Sequence, residues 1–161
     1  MKIAVGSDHN GFELKENVKK FVEELGHEVV DYGCYSTDAV DYPGIAFKVA
    51  EGVSNGEAER GILVCGTGIG VCIAANKYPG IRAALTHDVY SAERAQLSND
   101  AQIITMGAQV IGPAAAQKIV AAYLNVKWAG GSQRKVDQIV DKEKEFLTDL
   151  GKEVLVNSCA G

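Results

Sequence analysis

Residues 61–76 read Gly61-Ile62-Leu63-Val64-Cys65-Gly66-Thr67-Gly68-Ile69-Gly70-Val71-Cys72-Ile73-Ala74-Ala75-Asn76. Gly61–Cys65 is nearly continuous in apolar side chains over the length of one strand, the pattern of a parallel sheet covered on both faces. Gly66, Gly68 and Gly70 follow at alternate positions, and Ala74 and Ala75 lie on a short helix that this loop opens. Glycines so spaced let the backbone turn tightly and bring its N–H groups close to a ligand. A strand, a glycine turn and a helix together make the repeating unit of a wound α/β sheet.

The same alternation extends in both directions. Strand-like runs occur at Lys2–Val5, Glu28–Tyr32, Ile81–Leu85 and Gln102–Met106. Between them lie amphipathic stretches. Phe12, Leu14, Val18, Phe21, Val22 and Leu25 form a stripe of helical period that Gly26 stops. Ile45, Phe47, Val49, Ala50 and Val53 form a second, introduced by Asp41-Tyr42-Pro43; Tyr90–Leu97 form a later one, and Pro113 starts another carrying Ile119, Val120, Tyr123 and Leu124. Right-handed crossovers would wind these units into a doubly wound, five-stranded parallel sheet. After Gly130-Gly131, Ser132–Leu150 reads as a charged helix with Val136, Ile139, Val140, Phe146 and Leu147 as its apolar positions. The sheet is complete before it, so this helix must cover another surface, on its own domain or on a second subunit, and we expect it to help form a dimer interface. Residues 1–150 thus read as one domain and 151–161 as a tail without a strong pattern.

Composition bounds the function. The 161 residues are 47% hydrophobic and 23% charged, which suits one compact domain and argues against disorder. A net charge of −5 disfavours a general nucleic-acid binder, which needs a basic surface to displace counterions. No apolar run approaches the ~20 residues of a membrane span. Met1-Lys2-Ile3-Ala4-Val5 enters a strand directly and does not read as a signal peptide. Cys34, Cys65, Cys72 and Cys159 are scattered, which fits a reducing cytoplasm better than a disulfide framework, and the cysteines and histidines lack metal-ligand spacing.

Ligands of open parallel sheets bind beyond the carboxyl ends of the strands. Those ends carry Gly6-Ser7-Asp8-His9-Asn10-Gly11, Cys65-Gly66-Thr67-Gly68-Ile69-Gly70, Thr86-His87-Asp88 and Gly107-Ala108-Gln109. The glycine spacing, G-x-G-x-G after the third strand, is neither the dinucleotide nor the Walker pattern. Cys65 is either a small core residue or a thiolate favoured by the loop's positive potential. His9 either binds a phosphate or sugar oxygen and shuttles a proton, or is an exposed ring beside a helix cap formed by Asp8 or Asn10. Arg134-Lys135 either neutralises a phosphate or is a solvated basic turn, and Tyr42 either reaches a pocket rim or simply starts a helix.

Together these segments resemble the family of ribose-5-phosphate isomerase B and the galactose-6-phosphate isomerase subunits. The likeness runs from Met1 to about Ile139 and includes Asp8-His9-Asn10-Gly11-Phe12, Asp41-Tyr42-Pro43, Gly61–Gly70, Ile73-Ala74-Ala75-Asn76-Lys77, Gly80-Ile81-Arg82-Ala83-Ala84 and Ser98-Asn99-Asp100. It implies a Rossmann-like three-layer α/β/α sandwich and a homodimer, or a tetramer, with shared active sites. The implied reaction is a cofactor-free, metal-free conversion of an aldose phosphate to a ketose phosphate. Such a reaction needs a base for a weakly acidic C–H and donors for the enediolate oxygen. By the resemblance Cys65 is the base, and Thr67 with the N–H groups of Gly66, Gly68, Ile69 and Gly70 holds the oxygen. Asp8, His9 and Tyr42 would contact the sugar phosphate, Asn99 would contact a substrate hydroxyl from the partner subunit, and Arg134 and Lys135 would hold the phosphate.

Three positions depart from the family pattern. Ser98 stands where a ring-opening histidine is common, and Gln109 and Ser132 stand where arginines are common. Ring opening then falls to His9, His87 or Ser98, or the substrate needs none: a four-carbon aldose 4-phosphate cannot close a furanose, because its O4 is esterified. Ribose 5-phosphate is the default substrate, with erythrose 4-phosphate/erythrulose 4-phosphate as the alternative and a non-catalytic nucleotide- or sugar-phosphate-binding module as the competing class.

Overall fold

The computed structural model describes the backbone of residues 1–158 and the side chains of residues 1–151. In chain order the elements are β1 (Lys2–Ser7), α1 (Phe12–Glu24), β2 (Glu28–Asp31), α2 (Tyr42–Ser54), β3 (Arg60–Cys65), α3 (Ile69–Ala75), β4 (Ala83–Leu85), α4 (Val89–Asn99), β5 (Ile103–Gly107), α5 (Pro113–Asn125) and α6 (Gln133–Ser158). The five strands form one parallel sheet in the order β2-β1-β3-β5-β4.

Alternation along the strands sorts the core into two layers. Ile3, Val5, Ile62, Val64, Ile104 and Met106 face α1, α4 and α5, where Val18, Val22, Ile119, Val120 and Tyr123 meet them. Ala4, Leu63, Cys65 and Ile103 face the other way, against Ala46, Val49 and Ala50 of α2 and Val71, Ala74 and Ala75 of α3. Fully burying each of the larger side chains contributes roughly 1.5–3 kcal/mol. The result is the three-layer α/β/α sandwich that the resemblance implies.

Most sequence boundaries move by only one or two residues, and the larger shifts are in β4 and the last helix. β4 spans only Ala83–Leu85, because the Arg82 N–H is taken by Gln102 Oε1 at 2.8 Å and Ile81 turns into the core. The last helix runs on through Leu150 to Ser158, although Gly151 interrupts its pattern. Cys159 and the rest of the expected tail, residues 159–161, lie outside the described residues. Helix α6 is tied down by buried Val136 and by Glu143, whose Oε2 accepts the Gly80 N–H at 2.8 Å, while Ile139, Phe146, Leu147 and Leu150 are exposed. Among the described residues no helix is long and apolar enough to cross a membrane.

Candidate active site

β1 and β3 are neighbours, but the chain leaves them toward opposite faces, to α1 and to α3. A crevice therefore opens at their carboxyl ends, and Asp8-His9 and Cys65–Gly70 border it. The Asp8 N–H still donates to Val64 O at 3.2 Å, which keeps the first loop against β3. Asp8 is buried, and its Oδ1 accepts the Gly11 N–H at 3.0 Å, closing the turn ahead of α1.

The Cys65 side chain belongs to the α2/α3 side of the core, and the residue is one of those lining an open cavity of about 500 Å³. The Gly68 N–H donates to Sγ at 3.0 Å, a bond that a thiolate accepts more strongly than a thiol. Gly68 makes this possible with φ +78°, in the left-handed region open to glycine, and a Cβ there would collide with Met106. Thr67 Oγ1 accepts the Ile69 N–H at 3.3 Å, leaving its own proton for another acceptor. The loop is fastened to β5: Thr105 Oγ1 donates to Gly68 O at 2.9 Å, and the Ala108 and Gln109 N–H groups donate to Cys65 O and Gly66 O, each at 2.9 Å. The first turn of α3 leaves the N–H groups of Gly70 and Val71 without intrahelical acceptors.

Asp8, Asn10, Tyr42, Gly66, Thr67, Ile69, Gly70, Ile73 and Gln109 complete the cavity lining. The Tyr42 ring packs where a Cβ on Gly70 would stand. His9 lines an adjoining cavity of about 560 Å³ with Glu13, Asn17 and Thr37, and Asn10 is common to both. Val40 of the β2–α2 loop brackets His9 Nδ1, its N–H at 3.2 Å and its C=O at 3.3 Å.

Other expected site residues lie elsewhere. His87 Nε2 accepts the Gly107 N–H at 2.9 Å, so that nitrogen is engaged in joining β4 to β5. Ser98 and Asn99 end α4 at the opposite edge of the sheet, where Arg82 Nε donates to Asn99 O at 3.0 Å. About the length of β5, ~13 Å for its span, separates them from the strand ends that hold Cys65. Arg134 and Lys135 are exposed on the first turn of α6, and neither lines either cavity. Asn10, Ile73 and Gln109 enter the lining without having been singled out as site residues. Asn10 and Gln109 already stood in the strand-end segments, the signal by which they could have been found.

The arrangement suits proton abstraction from carbon. The Cys65 sulfur receives an amide N–H, Thr67, Asp8 and the start of α3 line the same cavity as Cys65, and His9 lines the adjoining one. Residues 3–139 match the family described as Ribose/Galactose Isomerase. The chain belongs to that family. It is a sugar-phosphate isomerase by this relationship and by its relatives. It is 53% identical over 138 residues to Ribose-5-P isomerase B of Listeria innocua, covering 85% of this chain and 93% of the relative. It is 45% identical over 141 residues to the D-erythrulose-4-phosphate isomerase of Pectobacterium atrosepticum, covering 86% and 93%. The Clostridium thermocellum Ribose-5-Phosphate Isomerase B structure superposes with a TM-score of 0.88 at 44% identity, covering 91% of this chain and 99% of that one. Among the described residues of the isomerase, no group of three or more His, Cys, Asp or Glu is placed to hold a metal ion.

Proposed function

We propose that this isomerase interconverts an aldose phosphate and its ketose through an enediolate, with ribose 5-phosphate and ribulose 5-phosphate as the leading pair. The observation that carries the proposal is Cys65, whose sulfur receives the Gly68 N–H and which lines one cavity with Thr67 and Asp8. Cys65 as thiolate takes the proton from C2 of the open-chain aldose, and the electron pair moves onto O1. Thr67 O–H and the amides of the α3 first turn hold that oxygen. A proton passes from O2 to O1, Cys65 returns its proton to C1, and the ketose forms with no net change in oxidation state. Asp8, His9 and Tyr42 bind the sugar phosphate at the rim.

One chain does not complete this site. A phosphate dianion needs cations, and among the described residues neither cavity is lined by lysine or arginine. A second copy supplying Asn99, Arg134 and Lys135, with α6 reaching across, answers that need and would cover the exposed Ile139, Phe146 and Leu147. Free cysteines at Cys34, Cys65 and Cys72 suit action in the cytoplasm.

A second substrate is favoured by one particular feature. Ser98 is a poor acid–base group, and a four-carbon 4-phosphate has no ring to open; the Pectobacterium atrosepticum relative is named for such a substrate. The test is turnover by the purified protein, without added metal or nucleotide, of ribulose 5-phosphate, erythrulose 4-phosphate and tagatose 6-phosphate. We expect the highest kcat/KM with ribulose 5-phosphate; higher kcat/KM with erythrulose 4-phosphate would move the assignment to the four-carbon sugar, and no turnover of any of them would overturn the reaction.

A further inference from the structure

Lys15 has no exposed surface, although burying an ammonium group costs several kcal/mol unless every proton finds an acceptor. It finds them all at one place. Nζ donates to Asp31 Oδ1 at 3.0 Å and Oδ2 at 2.8 Å, and to the Cys34 C=O at 2.7 Å. It also pairs with Glu16 at 3.0 Å and lies over the Phe12 and Tyr35 rings at 5.5 and 5.4 Å. A methionine would fill the same volume, so the charge is explained by its partners, which are the end of β2 and the first residues of the loop beyond it.

That segment is stitched to β1 beside the crevice. Asp31 Oδ1 accepts the Gly33 N–H at 2.9 Å, and the Tyr35 hydroxyl donates to Asp31 O at 2.9 Å. Cys34 N–H donates to Ser7 O at 2.8 Å, one residue before Asp8-His9. From Tyr35 to Ala39 the loop is exposed. It then delivers Val40, whose N–H meets His9 Nδ1, and Tyr42, which lines the Cys65 cavity. Val40 thus offers Nδ1 both a donor and an acceptor, and the Asn10 amide lies 3.2 Å from Nε2, so the ring has a partner at each nitrogen in either tautomer. The orientation of His9 is therefore set in part by a loop residue whose own support is a buried cation on α1.

We infer that Lys15 is a positioning residue of the active site, pinning the β2–α2 loop so that Val40 orients His9 and Tyr42 reaches the cavity. Its catalytic meaning rests on the proposed substrate contacts of His9 and Tyr42; its structural content does not.

The test compares the full-length wild type with Lys15→Met and with Lys15→Met/Asp31→Asn, the second of which leaves neither charge unpaired. NMR of the His9 ring protons and nitrogens reads how the ring is held, site-resolved mass spectrometry reads iodoacetamide modification of Cys65, and steady-state assays separate KM from kcat. In the folded double variant we expect shifted and broadened His9 ring resonances, a rise in KM of about tenfold, a fall in kcat of less than about threefold, and an unchanged Cys65 modification rate. A folded double variant with wild-type His9 resonances and KM would overturn the inference. A double variant that does not fold would show that Lys15 serves the whole fold, and would overturn the site-specific role. A wild type inactive on every phosphosugar would remove the proposed reaction and leave the NMR comparison to decide the positioning role.

Discussion

At the scale of single residues the site depends on one sulfur and the donors around it. Cys65→Ala removes the proposed base while leaving only a small gap in the α2/α3 layer. We expect activity to fall by at least ~10²–10⁴-fold, the usual contribution of a positioned base, with an unchanged circular dichroism spectrum. A variant with full activity would remove Cys65 as base. Thr67→Ala takes away a side-chain hydroxyl beside the cavity amides, and should lower kcat by about 10²–10³, as measured in the same assay. Cys65 was legible in the sequence because an apolar run ending at a glycine turn marks a strand end, where reactive groups collect. The grip of Val40 on His9, 31 residues away in sequence, was not legible, because it depends on where the β2–α2 loop returns to the sheet.

At the scale of elements, the glycine loop and the β5 turn lie backbone against backbone. A Cβ on Gly107 would stand 2.5–2.7 Å from the Thr67 backbone, far inside contact distance. Gly107→Ala should therefore push the loop off β5 and disorganise the donors around Cys65. We expect kcat to fall by more than tenfold while the melting temperature drops by several degrees; unchanged kinetics would show that the loop does not need this contact. The junction of α1 and β2 makes a different prediction. Burial pushes the Asp31 carboxyl up, but hydrogen bonds from Lys15, the Gly33 N–H and Lys19 outweigh it and hold it below the usual carboxylate value. A lowered folded-state value stabilises the fold fully above the ordinary carboxylate range, near pH ~4, and this stabilisation is lost as pH falls through the lowered value. Urea unfolding between pH 6 and 3 should show that decline, and Asp31→Asn should make it shallower. An identical pH dependence in both proteins would exclude Asp31 as its source.

At the scale of the molecule, Cys65 sits at the carboxyl edge of the sheet and Asn99 at the other, so within one chain they cannot share a substrate. If a second copy brings Asn99 to Cys65, mixing inactive Cys65→Ala with weakly active Asn99→Ala after co-refolding should restore activity, since one of the two sites in each mixed dimer is then intact. Light scattering should give a dimer or larger for the wild type. A fully active monomer, or no recovery on mixing, would exclude the shared site. The sequence by itself determined the five strands, the helices between them and the strand-end glycine loop, because hydrophobic period and turn chemistry act between residues a few positions apart. It also carried the family likeness, since Cys65–Gly70 and its neighbouring blocks are contiguous. Tertiary structure alone decided the insertion of β5 between β3 and β4, the shortening of β4 by the Gln102 side chain, the burial of Lys15 against Asp31, and the separation of Asn99 from Cys65. Each of these joins residues distant along the chain, and such contacts exist only after the layers have packed.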